Sequence, residues 1–243
     1  MQSRSFTAIF CLLAGCTNAP TETSSAYDPS VCVSGKRVLQ NDVLNARDLG
    51  AVPLGQEQAS SCGALFRGPP LAPLSQAGCD HVSELGIRTV IDLRTFAESG
   101  AKPEAACVAE RVNIVRAPLP VPYDVSPLDY IADLDSLDSM VQAFAALGDD
   151  AAYPIYFHCT WGRDRTGVLA AVILLALGAT HEDIMREYMF SSESVGAYPS
   201  SLQATLDEIE RRGGVSTYLD SLGMTPEQRA TLRAHAVTFE AAR

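Results

Sequence analysis

Lysine is almost missing from this chain. Of 18 basic residues in 243, only Lys36 and Lys102 are lysines, and 29 acidic residues bring the net charge to −11. That balance excludes nucleic acid, and any anionic surface, as a partner held by general charge attraction. Affinity for an anion must therefore be local. Long apolar runs are lacking too: Phe6–Leu13 and Val168–Leu177 are both too short to span a bilayer. There are no internal repeats, so a solenoid or propeller is excluded. No acidic segment has oxygen-ligand spacing around a turn glycine, so no metal is expected, and no organic cofactor.

What is present is concentrated in one stretch, His158-Cys159-Thr160-Trp161-Gly162-Arg163-Asp164-Arg165-Thr166-Gly167. Pro154–His158 is an apolar, β-rich run and reads as a buried strand. Thr166–Leu177 reads as a helix apolar on nearly every face, ended by Gly178. A short loop between strand and helix turns backbone N–H groups toward one point, and the helix N-terminus adds positive potential. Such a place binds a phosphoryl group and favours a thiolate over a thiol. Arg165 can close the cradle with a planar fork that holds two phosphate oxygens at once.

His158-Cys159-x-x-Gly162-x-x-Arg165-Thr166-Gly167 resembles the signature of cysteine-dependent protein and lipid phosphatases. Asn45-Ala46-Arg47-Asp48-Leu49-Gly50, Leu65-Phe66-Arg67-Gly68 and Leu85–Arg94 narrow the likeness to the bacterial tyrosine/serine phosphatase family that includes secreted mycobacterial and listerial enzymes. The resemblance runs from about Asn45 to near the C-terminus. It implies an α/β domain of cysteine-phosphatase type, acting without metal on phosphoproteins, with phosphoinositides or inositol polyphosphates as the alternative substrates. A phosphate-binding module without turnover is the non-enzymatic alternative. In the family, the C-terminal region helps to shape the pocket mouth.

The roles follow from the chemistry. Cys159 is the expected nucleophile, forming a cysteinyl phosphate. Backbone N–H groups from Thr160 to Arg165, with the Arg165 guanidinium, are expected to hold the equatorial oxygens. His158, Thr160, Trp161, Gly162, Arg163 and Gly167 complete the substrate-binding loop, and Thr166 is placed to donate a hydrogen bond to the sulfur. Family members often carry lysine at the Arg163 position, associated with phosphoinositide activity; arginine changes the reach and the donor geometry. The leaving oxygen needs a proton, and two aspartates are open for that role. Asp164, inside the loop, is the acid that the resemblance implies; Asp124, on the proline-rich stretch Pro118–Asp124, is its rival. Asp92, followed by Arg94 after a buried strand, either contributes to the site or pairs with Arg94 to hold the loop. Arg47 and Asp48 read as structural, Arg67 and Arg88 as surface or strand-end charges, and Asp129, Asp133, Asp135 and Asp138 as one solvated face.

The N-terminus reads as an export signal. Arg4 is its only charge, an apolar run follows, and Leu13-Ala14-Gly15-Cys16 resembles a bacterial lipobox. Residues 1–15 are thus expected to be a lipoprotein signal peptide, and residues 16–34 the lipidated Cys16 and a flexible tether rich in Thr, Ser, Pro and Ala. The remaining 35–243 form the phosphatase domain. Loss of Arg4 moves the charge from −11 to −12. The expected location is a bacterial membrane, periplasmic or cell-surface, contacted through the lipid alone. With Cys11 removed, Cys16 lipidated and Cys159 needed free, Cys32, Cys62, Cys79 and Cys107 remain. Four cysteines permit three pairings; Cys32–Cys62 with Cys79–Cys107 ties neighbouring segments, and four free thiols is the other possibility.

Apolar β-type runs fall at Gly63–Phe66, Thr89–Leu93, Asn113–Val115 and Ile155–Phe157. Helical stretches fall at Leu74–Leu85, Leu128–Leu147, Thr166–Leu177, Glu182–Phe190, Leu202–Arg212 and Pro226–Phe239. Ser200 with Gln203, and Thr225-Pro226 with Gln228, look like helix starts. Alternating strands and helices predict a mixed central sheet flanked by helices, with a helical C-terminal third.

Overall fold

The structure is a computed structural model, and it describes residues 31–239 apart from Cys32, Gln40 and Gln56. The expected signal peptide, Cys16 and most of the tether lie outside the described residues. Five strands lie side by side in the order β1 (Arg47–Asp48), β4 (Leu65–Gly68), β7 (Ile155–His158), β5 (Thr89–Asp92) and β6 (Asn113–Arg116). β1 is antiparallel to β4, and the other neighbours are parallel. The four parallel strands are the four apolar runs of the sequence. A strand covered on both faces reads as an unbroken apolar run, which is why these were legible.

Side chains alternate between the two faces of this sheet. Leu65, Ile91, Ile155 and Phe157 join the larger core cluster, whereas Phe66, Val90 and Tyr156 join a smaller one with Val38, Leu71, Val82 and Val108. The smaller cluster is closed by α1 (Gln76–Glu84) and α3 (Ala106–Ala109). These two helices are joined by the Cys79–Cys107 disulfide. The larger one is built around α6 (Asp164–Leu177), of which all but Leu175 and Ala176 are buried. Full burial of a leucine- or isoleucine-sized side chain contributes about 1.5–3 kcal/mol, so α6 is held by packing on every side.

Against α6 pack α4 (Pro127–Asp135), α7 (His181–Met189), α8 (Pro199–Arg211) and α9 (Gly214–Ser221), while α5 (Leu137–Leu147) and α10 (Pro226–Ala236) pack against each other. The short α2 (Phe96–Ala101) follows β5 and opens with a capping box between Thr95 and Glu98. A second, three-stranded antiparallel sheet joins β2 (Pro53–Gly55), β3 (Gln58–Ser60) and β8 (Val237–Phe239).

Several expectations are corrected. The single helix over Leu128–Leu147 is two, α4 and α5, because Ser136 leaves helical geometry at ψ 60° and ends one while beginning the other. The helix over Pro226–Phe239 stops at Ala236. Val237–Phe239 is extended and pairs with β3, so the C-terminal third is not wholly helical. Ser200 and Gln203 are not a start signal: α8 begins at Pro199, one residue earlier. Thr225 and Gln228 do form the capping box that opens α10. The aspartates are not one solvated face, since Asp133 is buried while Asp129 caps α4 and Asp135 pairs with Arg212.

Candidate active site

Cys159 follows β7 and is a free, buried thiol. The loop from Thr160 to Arg163 carries the chain from β7 into α6, whose first turn contains Asp164, Arg165 and Thr166. None of the backbone N–H groups from Thr160 to Thr166 finds an acceptor among the described residues. The N-terminus of α6 has no side-chain cap either. A run of N–H groups left without protein acceptors at a helix N-terminus beside a cysteine is an arrangement that binds anions. Gly162 makes the loop possible: its φ is +64°, and a Cβ there would stand 2.2 Å from the Gly68 carbonyl carbon.

The loop is braced from behind. Asn45 donates to the carbonyls of Trp161 at 3.1 Å and Gly162 at 3.3 Å. Arg67 also donates to the Gly162 carbonyl, at 3.0 Å. Arg67 sits near the end of β4 but is buried rather than at the surface; with Arg47 it grips Glu187 of α7 at 2.5 and 2.7 Å. Burial alone would raise the Glu187 carboxyl, but the two guanidinium groups outweigh it and hold it below the ordinary range. Burial beside Arg67 lowers Arg47 to about 10. Arg88 is exposed, as read.

Arg165 is clamped end-on by Glu98, with Nη1 to Oε2 at 2.8 Å and Nη2 to Oε1 at 2.7 Å. Thr160 donates its hydroxyl to the same carboxylate at 2.6 Å. Burial opposes the Glu98 charge, yet the bonds from Arg165 and Thr160 hold its carboxyl far below the usual range. The side edge of the guanidinium stays available, because Arg165 Nε is buried with no partner. The Thr166 hydroxyl is likewise buried and unpaired, so the expected bond to sulfur is not made here.

Asp164 and Arg163 do not face the loop as free groups. Asp164 accepts from Arg163 Nε at 2.8 Å and from the Tyr130 hydroxyl at 2.6 Å. Arg163 also donates to the Val195 carbonyl and lies over the Tyr198 ring, 4.5 Å from its centroid. Asp124 is exposed, and its carboxylate accepts from the Ser126 amide in its own turn. Trp161 is 57% exposed at the loop surface. Gly167 packs so tightly on Tyr188 that a Cβ would come within 2.8 Å of its ring.

Asp92 is fully buried and committed to Arg94 and Arg116, so it supports the loop rather than facing it. Burial would raise its carboxyl, but the Arg94 bonds hold it lower. Glu104 joins the same group, accepting from Arg94 at 2.6 Å. His158 lies beside them, its Nε2 3.4 Å from Glu104 Oε1, and burial pushes the imidazole below its ordinary value. Asp92, Glu104 and His158 are close enough to hold a cation, but the arginines already answer the two carboxylates. Cys62 is disulfide-bonded. Cys32, its expected partner, lies outside the described residues.

Sequence reasoning missed Glu98, Glu104, Tyr130 and Glu187. Only Glu98 left a local trace, the Thr95-Phe96-Ala97-Glu98 capping pattern, and that trace announces a helix rather than a partner for Arg165.

A free cysteine ringed by unpaired amides at a strand–helix junction, with an arginine presented beside it, defines the cysteine-dependent phosphatase class. The chain belongs to the tyrosine phosphatase family, whose profile matches residues 39–238. It is 30% identical over 201 residues to a protein of Cupriavidus necator named as a tyrosine-protein phosphatase, covering 74% of this chain and 72% of that one. A tyrosine-protein phosphatase of Nostoc commune is 26% identical over 64% of this chain and 57% of its own length. The triple specificity protein phosphatase PtpB of Mycobacterium tuberculosis is 24% identical over 55% and 62%. The core catalytic domain of the PP-IP phosphatase SIW14 from S. cerevisiae, solved with citrate, overlays 64% of this chain and 90% of its own at 17% identity. Its TM-score of 0.42 is too slight to bear on substrate. The protein is thus a phosphatase of the protein-tyrosine-phosphatase type.

Proposed function

We propose that this protein is an exported, lipid-anchored phosphatase that hydrolyses phosphotyrosine and other phosphomonoesters through a cysteinyl phosphate on Cys159. The observation that carries the reading is the row of unpaired N–H groups from Thr160 to Thr166 around a free thiol. These donors and the α6 N-terminus are suited to bind three phosphoryl oxygens. The unpaired Nε of Arg165 offers a further donor, on a guanidinium already aligned by Glu98. Thr166 is buried beside them with a free hydroxyl, suited to assisting the sulfur as leaving group when water attacks.

Arg163 bears on the alternative substrates. Its guanidinium is spent on Asp164, Val195 and Tyr198, which weighs against a phosphoinositide headgroup bound through that position. Export is supported by the lipobox-like segment and by the Cys79–Cys107 disulfide, a bond that persists in oxidising compartments.

The test is phosphate release in chelator and reductant from a phosphotyrosine peptide, a phosphoserine peptide, a short-chain phosphoinositide and an inositol polyphosphate, with Cys159→Ser as control. Release should be fastest from phosphotyrosine and vanish in the variant. No release from folded, reduced protein would leave only a phosphate-binding module. Globomycin-sensitive processing and membrane recovery of the full chain would test the anchor.

A further inference from the structure

Of the ten residues from His158 to Gly167, Trp161 alone is exposed. The other side chains of the loop are engaged elsewhere or absent: Thr160 donates to Glu98, Arg163 pairs with Asp164 and lies over Tyr198, and Gly162 has none. Trp161 leaves 57% of its surface in water, and its side chain makes neither a hydrogen bond nor a ring contact among the described residues. Its backbone, by contrast, is fixed. Asn45 donates to its carbonyl at 3.1 Å, and Arg47 in turn donates to Asn45 at 2.6 Å. An aromatic side chain can bury about 150–250 Å² of surface, so a braced loop here presents a large, unused apolar face.

That face stands where the substrate's ester group must emerge. The Trp161 N–H is one of the unpaired amides between Thr160 and Thr166. A phosphoryl oxygen that accepts it lies about 2.9 Å from the nitrogen. The Trp161 Cβ is two bonds from the same nitrogen, so the indole begins beside the bound phosphate. The leaving oxygen departs roughly in line with the attacking atom, on the far side of phosphorus. Cys159 is buried at the base of the loop, so that far side is the open one. The group bonded to the leaving oxygen therefore comes out level with the loop's one exposed side chain. In phosphotyrosine that group is a ring, which can reach the indole within the roughly 4.5–7 Å at which aromatic pairs attract. In phosphoserine it is a methylene, which offers no ring to pack.

We propose that the Trp161 indole is the wall against which the substrate's aryl ring packs, and that it sets a preference for phosphotyrosine over phosphoserine and inositol phosphates. The assignment rests on the phosphatase reading above and adds to it the residue that selects the ester. Selection is by apolar contact rather than by charge. Arg165 has one unpaired nitrogen in the site, Nε, and Arg163 is spent on Asp164 and Val195. A second phosphate on the same substrate thus finds no free guanidinium in the loop. An exposed tryptophan also suits a bilayer interface, and the binding measurements below separate the two uses.

Trp161 is the one tryptophan of the chain, so tryptophan emission reports this position alone. Binding is followed in Cys159→Ser with tryptophan-free phosphotyrosine and phosphoserine peptides of the same flanking sequence, inorganic phosphate, and phosphatidylcholine–phosphatidylglycerol vesicles. The phosphotyrosine peptide should shift the emission and shield it from acrylamide, whereas the phosphoserine peptide and phosphate should do neither. Kinetics on the two peptides and on inositol hexakisphosphate are compared in the full chain, Trp161→Ala and Trp161→Phe. Trp161→Ala should lose roughly ten-fold in kcat/KM on phosphotyrosine and stay within about two-fold on phosphoserine, while Trp161→Phe keeps most of the preference. Equal losses on both peptides in Trp161→Ala would mark damage to the loop and overturn the assignment. So would a phosphotyrosine peptide that binds, by calorimetry, without changing emission or shielding, or a shift produced by vesicles and not by that peptide. The emission measurements need no substitution at position 161, so they decide even if Trp161→Ala does not fold. Absence of phosphate release from every substrate would instead overturn the phosphatase reading, which the binding measurements do not require.

Discussion

At the scale of single residues, the site depends on side chains that hold other side chains. Arg165 is useful only if its fork is fixed, and Glu98 fixes it with two bonds while also accepting from Thr160 and Thr95. Glu98→Gln keeps the shape and removes the charge that aligns the guanidinium. We expect kcat/KM to fall roughly ten- to a hundred-fold, about 1.4–2.7 kcal/mol of transition-state stabilisation. Phosphate or vanadate should bind more weakly in step with that loss. Steady-state kinetics together with inhibition by vanadate check this; unchanged inhibition would assign Glu98 to the fold alone. Cys159, Gly162 and Arg165 were readable because their chemistry lies within one short loop. Glu98 was not, since its partner Arg165 is 67 residues away and nothing in a local pattern announces the pair.

At the scale of elements, α7 is fastened to the sheet by a charge cluster, with Glu187 between Arg47 of β1 and Arg67 of β4. Removing the one carboxylate leaves two buried guanidinium groups facing each other. Glu187→Gln should therefore destabilise by about 3–5 kcal/mol at neutral pH. The folded carboxyl lies below its unfolded value, so its stabilisation is fully present above the ordinary carboxylate range and is lost as pH falls through the folded value. The difference between wild type and Glu187→Gln in denaturant unfolding should accordingly shrink in acid. A gap that stays constant with pH would refute the ionic account. Buried parallel strands and long helices were legible because apolar runs and 3.6-residue periodicity need several residues to show. β1, β2, β3 and β8 have two or three residues each, too few to carry a period. The break at Ser136 was hidden because the apolar spacing continues on both sides of it.

At the scale of the whole molecule, the sheet separates two cores, and the smaller has less apolar material to hold it. The Cys79–Cys107 bond crosses that side, closing a separation of 28 residues between α1 and α3. A loop of this size gives roughly 3–4 kcal/mol by restricting the unfolded chain. Cys79→Ser with Cys107→Ser should lose about that much in chemical denaturation, while the folded enzyme keeps its turnover because the site lies on α6 and β7. The double variant should also lose the sensitivity of its unfolding midpoint to reductant attributable to this bond. Sequence could narrow the pairing to three choices and no further, because pairing depends on which segments the fold brings together.

The sequence by itself determined the strand, the short loop and the buried helix that carry Cys159 and Arg165. A cysteine, an arginine and glycines at fixed spacing between an apolar strand and an apolar helix are a local arrangement, and local arrangements are written in consecutive residues. Tertiary structure decided what surrounds that loop. It sent Arg67 inward to the loop carbonyls, drew Arg163 away to Asp164 and Tyr198, and set Glu98 on Arg165. It also buried Asp133 where a chain of scattered aspartates suggested a wet surface. Charge and burial depend on neighbours distant in sequence, so the protonation chemistry of the site follows from packing rather than from any motif.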